Sequence, residues 1–333
     1  MSEREPMPAI LDHREGPVPG PGLYRMPAAL YHADPCPDPS LSSSFGKLIV
    51  GRSPKHARAA HPRLGAPPDE GDSTRPKEIG TAAHMLMLGR GAKVCPIEAT
   101  DYKAGAARSE RMRALAAGEC PILAPDLALA EAAVAEGRRE LATFLPEHPE
   151  LPELADFLAG EGDAETVLVW RDVGGVWCRA MVDWLSPSRR LRIDLKTTSA
   201  SANPADVAAR LFNTGTEFSD RFYARGIRAL GMPAARSLYV MIETEPPHGA
   251  AIVELDQEAE DIGETDVPRA IETWGRCLAS GRWPGYPPRI ATAETPRWHV
   301  RAWEGRGLAA STFAERSPGK PGVPSPMLTE IVP

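Results

Sequence analysis

The stretch LRIDLKTT (191–198) sets an acid and a lysine two residues apart, Asp194 and Lys196. A second acid, Asp183, ends the run VWCRAMVD, and SPSRR lies between the two runs. If SPSRR closes an unbulged antiparallel hairpin with Ser186 opposite Leu191, Asp183 falls opposite Asp194. Side chains alternate faces with period two. Asp183, Asp194 and Lys196 then share one face, and Val182, Trp184, Ile193 and Leu195 form an apolar surface on the other. Carboxylates directly opposed have Cβ atoms about 4.5–5.5 Å apart and repel each other. A divalent cation between them offsets the repulsion, and hard oxygen ligands suit Mg²⁺ or Mn²⁺, which engage phosphate oxygens. Such a metal lowers the pKa of a bound water and stabilises charge during phosphodiester hydrolysis. Lys196 can orient the water and neutralise the scissile phosphate, and partial desolvation would lower its pKa toward that of a base. The backbone carbonyl of Leu195, between the acid and the lysine, is a further candidate ligand. The competing reading is two acids on a wet sheet face.

The elements that must hold these residues follow from the hydrophobic period. ETVLVWRD, VWCRAMVDWL and LRIDLKTT read as three strands, with the glycine pair 174–175 turning the first into the second. Upstream, the serines of SLSSSFGKLIVG start a helix, 64–77 is a loop, EIGTAAHMLMLG (78–89) is a short buried helix, 91–125 is irregular, and 125–145 is an amphipathic helix. Downstream, NPADVAARLFN (203–213) has Asn203 as N-cap and Pro204 at the first helical position. TEFSDRFYARGIRALG ends at Gly231, a glycine suited to the position after a helix. SLYVMIETE and GAAIVELD are further strands, and 257–281 is a helix. The order α, β, β, β, α, α, β, β, α makes a mixed central sheet flanked by helices.

The chain has 333 residues and 35 prolines, many of them in the first forty positions and the last thirty. Residues 1–40 are therefore expected to wrap over the surface or to be partly disordered, 41–303 to form the functional domain, and the tail from about 304 to be disordered. The five cysteines (Cys36, Cys95, Cys120, Cys178, Cys277) form no C-x-x-C pair, which argues against a zinc ribbon, a disulfide scaffold or a closely spaced iron–sulfur motif. No apolar run approaches the roughly 20 residues of a membrane span, and the N-terminus has no signal-like apolar region, so the expectation is a cytoplasmic protein. A net charge of −7 does not advertise a nucleic-acid binder, although GRSPKHARAAHPR (51–63) is locally basic. That segment reads equally as a DNA-facing patch or as a solvated helix face.

With these residues in place, the chain resembles the PD-(D/E)xK nuclease superfamily, and within it the RecE-type, exodeoxyribonuclease VIII-like exonuclease domain of phages and prophages. The likeness runs over roughly 24–300: YHADP, SLSSS and SPKHA, then IGTAAH, then RAMVDWL and IDLKTT, and finally GRWPGYPPRI and TPRWHV. It implies a restriction-endonuclease-like core with an N-terminal helical extension. It implies a metal held by His84, Asp183, Asp194 and the Leu195 carbonyl, with Lys196, Asp194 and Asp183 catalytic. Glu165, at a strand start, and Tyr223 are implied as supporting residues. The family carries a Gln four residues before that Tyr, and Ser219 stands there instead. The implied activity is Mg²⁺-dependent digestion of linear double-stranded DNA from a 5′ end, in phage-type recombination. Its implied partners are DNA ends, a single-strand annealing protein and further copies of the chain. An endonuclease on the same core, and a non-catalytic DNA-binding or assembly module, are the alternatives.

Overall fold

Three runs between 163 and 198 pair as the antiparallel meander that their alternation predicts, at the centre of a mixed sheet. The computed structural model describes residues 7–65 and 74–316. Within them the strands, in chain order, are β1 (Ile10–Asp12), β2 (Gly22–Arg25), β3 (Val94–Ile97), β4 (Cys120–Leu123), β5 (Asp163–Arg171), β6 (Trp177–Leu185), β7 (Leu191–Thr198), β8 (Arg236–Glu243) and β9 (Ala250–Val253). Seven of these form one sheet in the order β1-β2-β5-β6-β7-β8-β9, and β3 and β4 pair separately. β7 and β8 are parallel, and the connection between them carries the helices Pro204–Asn213 and Thr216–Ala229. Parallel neighbours need such a crossover, because a two-residue turn can only return the chain antiparallel. Asn203 caps the first of these helices by accepting from the Ala205 N–H at 3.0 Å.

Helices cover both faces. Arg75–Leu88, Ala124–Ala142 and Glu153–Ala159 pack on a core that contains Trp184, Ile193, Leu195 and Val240. Ser43–Gly51, Thr216–Ala229 and Gln257–Ser280 pack on a second core around Trp170, Cys178, Val182 and Leu185. Burial of each large side chain in these layers contributes roughly 1.5–3 kcal/mol. A Cβ on Gly46 would come within 2.3 Å of the Phe218 ring. The glycine thus lets Ser43–Gly51 press against Thr216–Ala229, which brings Ser43 and Lys47 to the end of β7.

Three local expectations change. Val182 does not share a core with Trp184: it joins the opposite layer, together with Leu185. The β5–β6 ladder is interrupted between Ala164↔Trp184 and Thr166↔Val182, where Glu165 takes φ +50°, and the strand changes face across that gap. The first forty residues do not merely wrap the surface. β1 and β2 extend the sheet from β5, so the N-terminal extension is part strand as well as helix. The stretch 91–125 holds β3, β4 and the helix Gly105–Ala116, strands that their prolines disguise.

The described residues up to Tyr286 form one compact unit, and those from Pro287 onward a second. The second contains the helix Arg297–Arg316, so the tail expected from 304 is helical as far as 316. Residues 317–333, and 66–73 of the loop expected at 64–77, lie outside the described residues. Among the described residues no helix is long and apolar enough to cross a membrane.

Candidate active site

The hairpin register is the one that the spacing demands. Ser186 N–H donates to the Leu191 carbonyl at 2.9 Å, and the ladder continues through Leu185↔Arg192 to Trp184↔Ile193. One step further sets Asp183 against Asp194, and there the ladder ends. The Leu195 N–H donates to Asp183 Oδ2 at 2.9 Å, so a side-chain oxygen replaces the backbone acceptor that would continue the pairing. A residue in an extended strand directs its N–H and C=O to the same side. The Leu195 carbonyl therefore faces the gap occupied by Asp183, as a ligand from this residue would have to.

Around the acid pair the structure gathers His84, Glu165 and Lys196. His84 lies on the Arg75–Leu88 helix, with Nε2 3.3 Å from Asp183 Oδ2 and Nδ1 3.8 Å from Glu165 Oε1. Lys196 Nζ is in ion contact with Asp194 Oδ1. That oxygen is buried, and among the described residues the Lys196 ammonium is the group that meets it. A cleft of about 420 Å³, lined by Gly80, His84, Glu165, Leu195 and Lys196, opens over the group. Tyr223 and Ser219 stand one helical turn apart in an adjoining cleft of about 450 Å³, with Asp194, Lys196, Ser43 and Lys47. All the residues singled out by the sequence therefore converge on the β7 end.

The electrostatics follow from burial and crowding. Burial, then the Asp183 charge, pushes the Asp194 carboxyl above the usual carboxylate range. Asp183 goes the other way: burial opposes its charge, but the hydrogen bond and charge of His84, with Lys196, hold it low. Burial raises the Glu165 carboxyl, and the phenol of Tyr223 is pushed up to about 12 by burial and the nearby Asp194. For His84, desolvation is outweighed by Asp183 and Glu165, and its pKa rises. Lys196 corrects the expectation of a base. Burial does favour its neutral form, but Asp194 and Asp183 outweigh it and its pKa is raised. Lys196 is a held positive charge.

These donors fit a hard divalent cation in their chemistry. Two mutually repelling carboxylates sit beside a cleft, next to a backbone carbonyl that faces the same gap. They are not assembled as a closed cage: among the described residues no group of three or more His, Cys, Asp or Glu side chains has metal-binding geometry.

Two contributors escaped the sequence reading. Arg192 is buried with Asp220 as its ion partner, donates to Ser237 Oγ at 2.8 Å, and lies 5.1 Å from the Tyr223 ring centroid. Period two places it on the Asp194–Lys196 face, so the signal was present. Lys47 donates to the Thr214 carbonyl at 3.0 Å, and burial with the nearby Lys196 lowers its pKa. Only tertiary packing brings it here. The basic segment 51–63 divides. His61 is buried on the Ser40 carbonyl and Arg63 donates to the Cys36 and Pro37 carbonyls, while Arg52, Lys55 and Arg58 are exposed.

Comparison with known proteins adds the following. Residues 139–295 match the model of a family described as a PDDEXK-like domain of unknown function (DUF3799). No curated protein sequence matches the chain. Among solved structures, a candidate exonuclease from Eubacterium rectale is similar with a TM-score of 0.48 and 11% identity, over 79% of this chain and 93% of that one. A phage-related exonuclease from Haemophilus somnus 129PT is similar with a TM-score of 0.25 and 17% identity, over 46% of this chain and 89% of that one. The matched span holds Glu165, Asp183, Asp194, Lys196, Ser219 and Tyr223, and leaves His84 outside it. The span 139–295 is thus PDDEXK-like, with the Asp-x-Lys strand and its partner acid inside it.

Proposed function

We propose that the protein is a Mg²⁺- or Mn²⁺-dependent exonuclease that hydrolyses linear double-stranded DNA from the 5′ end. The observation that carries this reading is the Asp183–Asp194 pair, half-buried and buried, with Lys196 against it between two clefts. The order of motifs along the chain, of the RecE type, supports exonuclease over endonuclease and a role in phage-type recombination. It also supports a homo-oligomer working beside a single-strand annealing protein in the cytoplasm.

Asp183, Asp194, the Leu195 carbonyl and His84 would hold the metal, which when bound supplies an activated water and offsets charge on the phosphodiester. The remaining work falls to the chain. Asp183 is fixed by the Leu195 N–H and by His84, so its free lone pairs keep one direction. Lys196, held charged by the acids, neutralises the non-bridging oxygens as water attacks phosphorus and the P–O3′ bond to the departing terminal nucleotide breaks, its 3′ oxygen leaving as the hydroxyl. Glu165 orients the far nitrogen of His84. Tyr223 and Ser219, on the Thr216–Ala229 helix, line the approach of the strand, where Ser219 is too short for the reach of a Gln.

The test compares linear with covalently closed circular duplex, with Mg²⁺ and with chelator. Metal-dependent release of nucleotides from linear DNA only, lost in Lys196→Ala, is the expected result. Cleavage of closed circles would turn the reading to an endonuclease. No hydrolysis by the parent chain would leave a DNA-binding module.

A further inference from the structure

The cleft over the acid pair is the middle of three. Lys196 and Thr197 line both it and the cleft of Ser43, Lys47 and Tyr223 on one side. On the other side Gly91, Ala92 and Glu165 are shared with a third cleft, of about 380 Å³. Four cations, Arg14, Arg25, Arg90 and Lys93, line this third cleft, and Glu165 is the one acid among its lining residues. Arg25 is paired with Asp163 at 3.3 Å and Lys93 with Glu119 at 2.8 Å. Arg14 and Arg90 make no ion pair among the described residues. Two guanidinium groups are thus left for a ligand, at the mouth of the candidate active site.

The backbone is built to put them there. Gly89 ends the Arg75–Leu88 helix at φ +68°, and Gly91 takes φ +128°, both open to glycine and strained for other residues. A Cβ on Gly91 would lie 3.1 Å from Glu165 Oε1, so the chain passes directly against that carboxylate and delivers Arg90 beside it. Arg90 acts on Glu165 through its charge. Arg14 and Arg25 come from the other wall, just after β1 and at the end of β2. Glu165 apart, these residues precede the family-matched span, so the N-terminal segment adds this cleft to the domain.

Guanidinium forks match phosphate oxygens bidentately, and a row of them leading from a hydrolytic site tracks a phosphodiester backbone. We propose that the Arg14–Arg90 cleft binds the DNA backbone on the Glu165 side of the scissile bond, so that the strand crosses the acid pair between this cleft and the Lys47 cleft. This rests on the nuclease reading above.

The experiment uses the full chain in chelator, where no hydrolysis occurs, and a fluorescein-labelled duplex with a single-stranded tail. Kd is measured by anisotropy across a salt series for the parent, for R14Q/R90Q, and for R139Q, an exposed residue that lines none of the three clefts, as a control. Loss of two phosphate contacts lowers the slope of log Kd against log salt by about 1.4–1.8, and weakens binding on the order of tenfold or more at low salt. Parent-like slopes in R14Q/R90Q, with an unshifted melting temperature, overturn the proposal even where the parent digests DNA. A released nucleotide shares the phosphate chemistry, so thymidine 5′-monophosphate is titrated in parallel. Loss of its binding in R14Q/R90Q, with the DNA slope intact, assigns the cleft to product and overturns a backbone track. The absence of metal-dependent hydrolysis by the parent removes the nuclease reading instead, and a reduced slope then still supports a polyanion site.

Discussion

Asp34, in the N-terminal segment, and Asp194, on β7, are similarly buried, with 5% and 9% of their surface exposed. Their surroundings differ in kind. Asp34 accepts from the Ser40 N–H at 2.9 Å and the Ser40 hydroxyl at 2.7 Å, and is faced by Arg179 at 3.0 Å, His61 at 3.2 Å and Arg63 at 3.5 Å. Burial alone would raise its pKa, but His61, Arg179 and Ser40 outweigh it and hold the carboxyl low. Asp194 is met by one cation, Lys196, has a like charge opposite, and has a raised pKa. A buried carboxylate kept for structure has its lone pairs filled by the chain. One met by a single cation, beside a second acid and a cleft, keeps lone pairs for a ligand that the chain does not supply.

The largest effect should come from breaking the satisfied cluster. Arg179→Ala leaves Asp34 buried without its principal counterion and removes a side chain that also lies over the rings of Tyr31 and Phe45. A loss of about 3–5 kcal/mol is expected, read from urea unfolding. A loss below about 1 kcal/mol would mean that the cluster is not the anchor of the N-terminal segment.

That contrast also marks what the sequence could disclose. The acid pair was legible because it follows from period two and one five-residue turn, both local. His84, Glu165, Ser219 and Tyr223 were found through motif resemblance, and the structure brings them together on the same strand end. Asp34, Ser40, His61 and Arg179 stayed hidden, since their pairing spans 139 positions from Ser40 to Arg179 and no periodicity encodes it. His61 and Arg63 even read as part of a surface patch, because a local excess of cations is the same string whether it faces solvent or a buried acid. β1 and β2 were lost among Pro and Gly for want of length. The strand pairing that recruits them depends on partners more than a hundred residues away.

The second prediction asks what the open cluster does. Lys196→Ala should lower hydrolysis of linear duplex by about 10²–10³ under single-turnover conditions, the usual effect of removing one preorganised charge from the transition state. Its raised pKa means that activity should show no loss of a basic lysine between pH 7 and 9. A rate that climbs through that range and flattens in the variant would return Lys196 to the role of base.

Acid separates the two clusters by a smaller amount. Asp34 has a folded pKa below its unfolded value, so its stabilisation is fully present above about pH 4 and lost as pH falls through the folded value. Asp34→Asn removes that charge from a site facing Arg179, His61, Arg63 and Ser40. The stability gap between parent and variant should therefore narrow by about 1–2 kcal/mol between pH 5 and pH 2, measured by urea midpoints in chelator. A gap that stays constant across this range would show that hydrogen bonding, not charge, holds the segment.

The smallest effect has the opposite sign. Asp194→Asn keeps the shape, removes the repulsion with Asp183 and leaves Lys196 free to serve that acid. Without metal, the variant should be as stable as the parent or more stable by up to about 1 kcal/mol, even as it loses hydrolysis. Adding Mg²⁺ should raise the parent's unfolding midpoint and leave that of the variant in place, since only a state with the ligands intact gains from the ion. If Asp194→Asn destabilised the protein as Arg179→Ala does, the Asp194 carboxylate would be a structural acceptor like that of Asp34, and the distinction between the two clusters would fall.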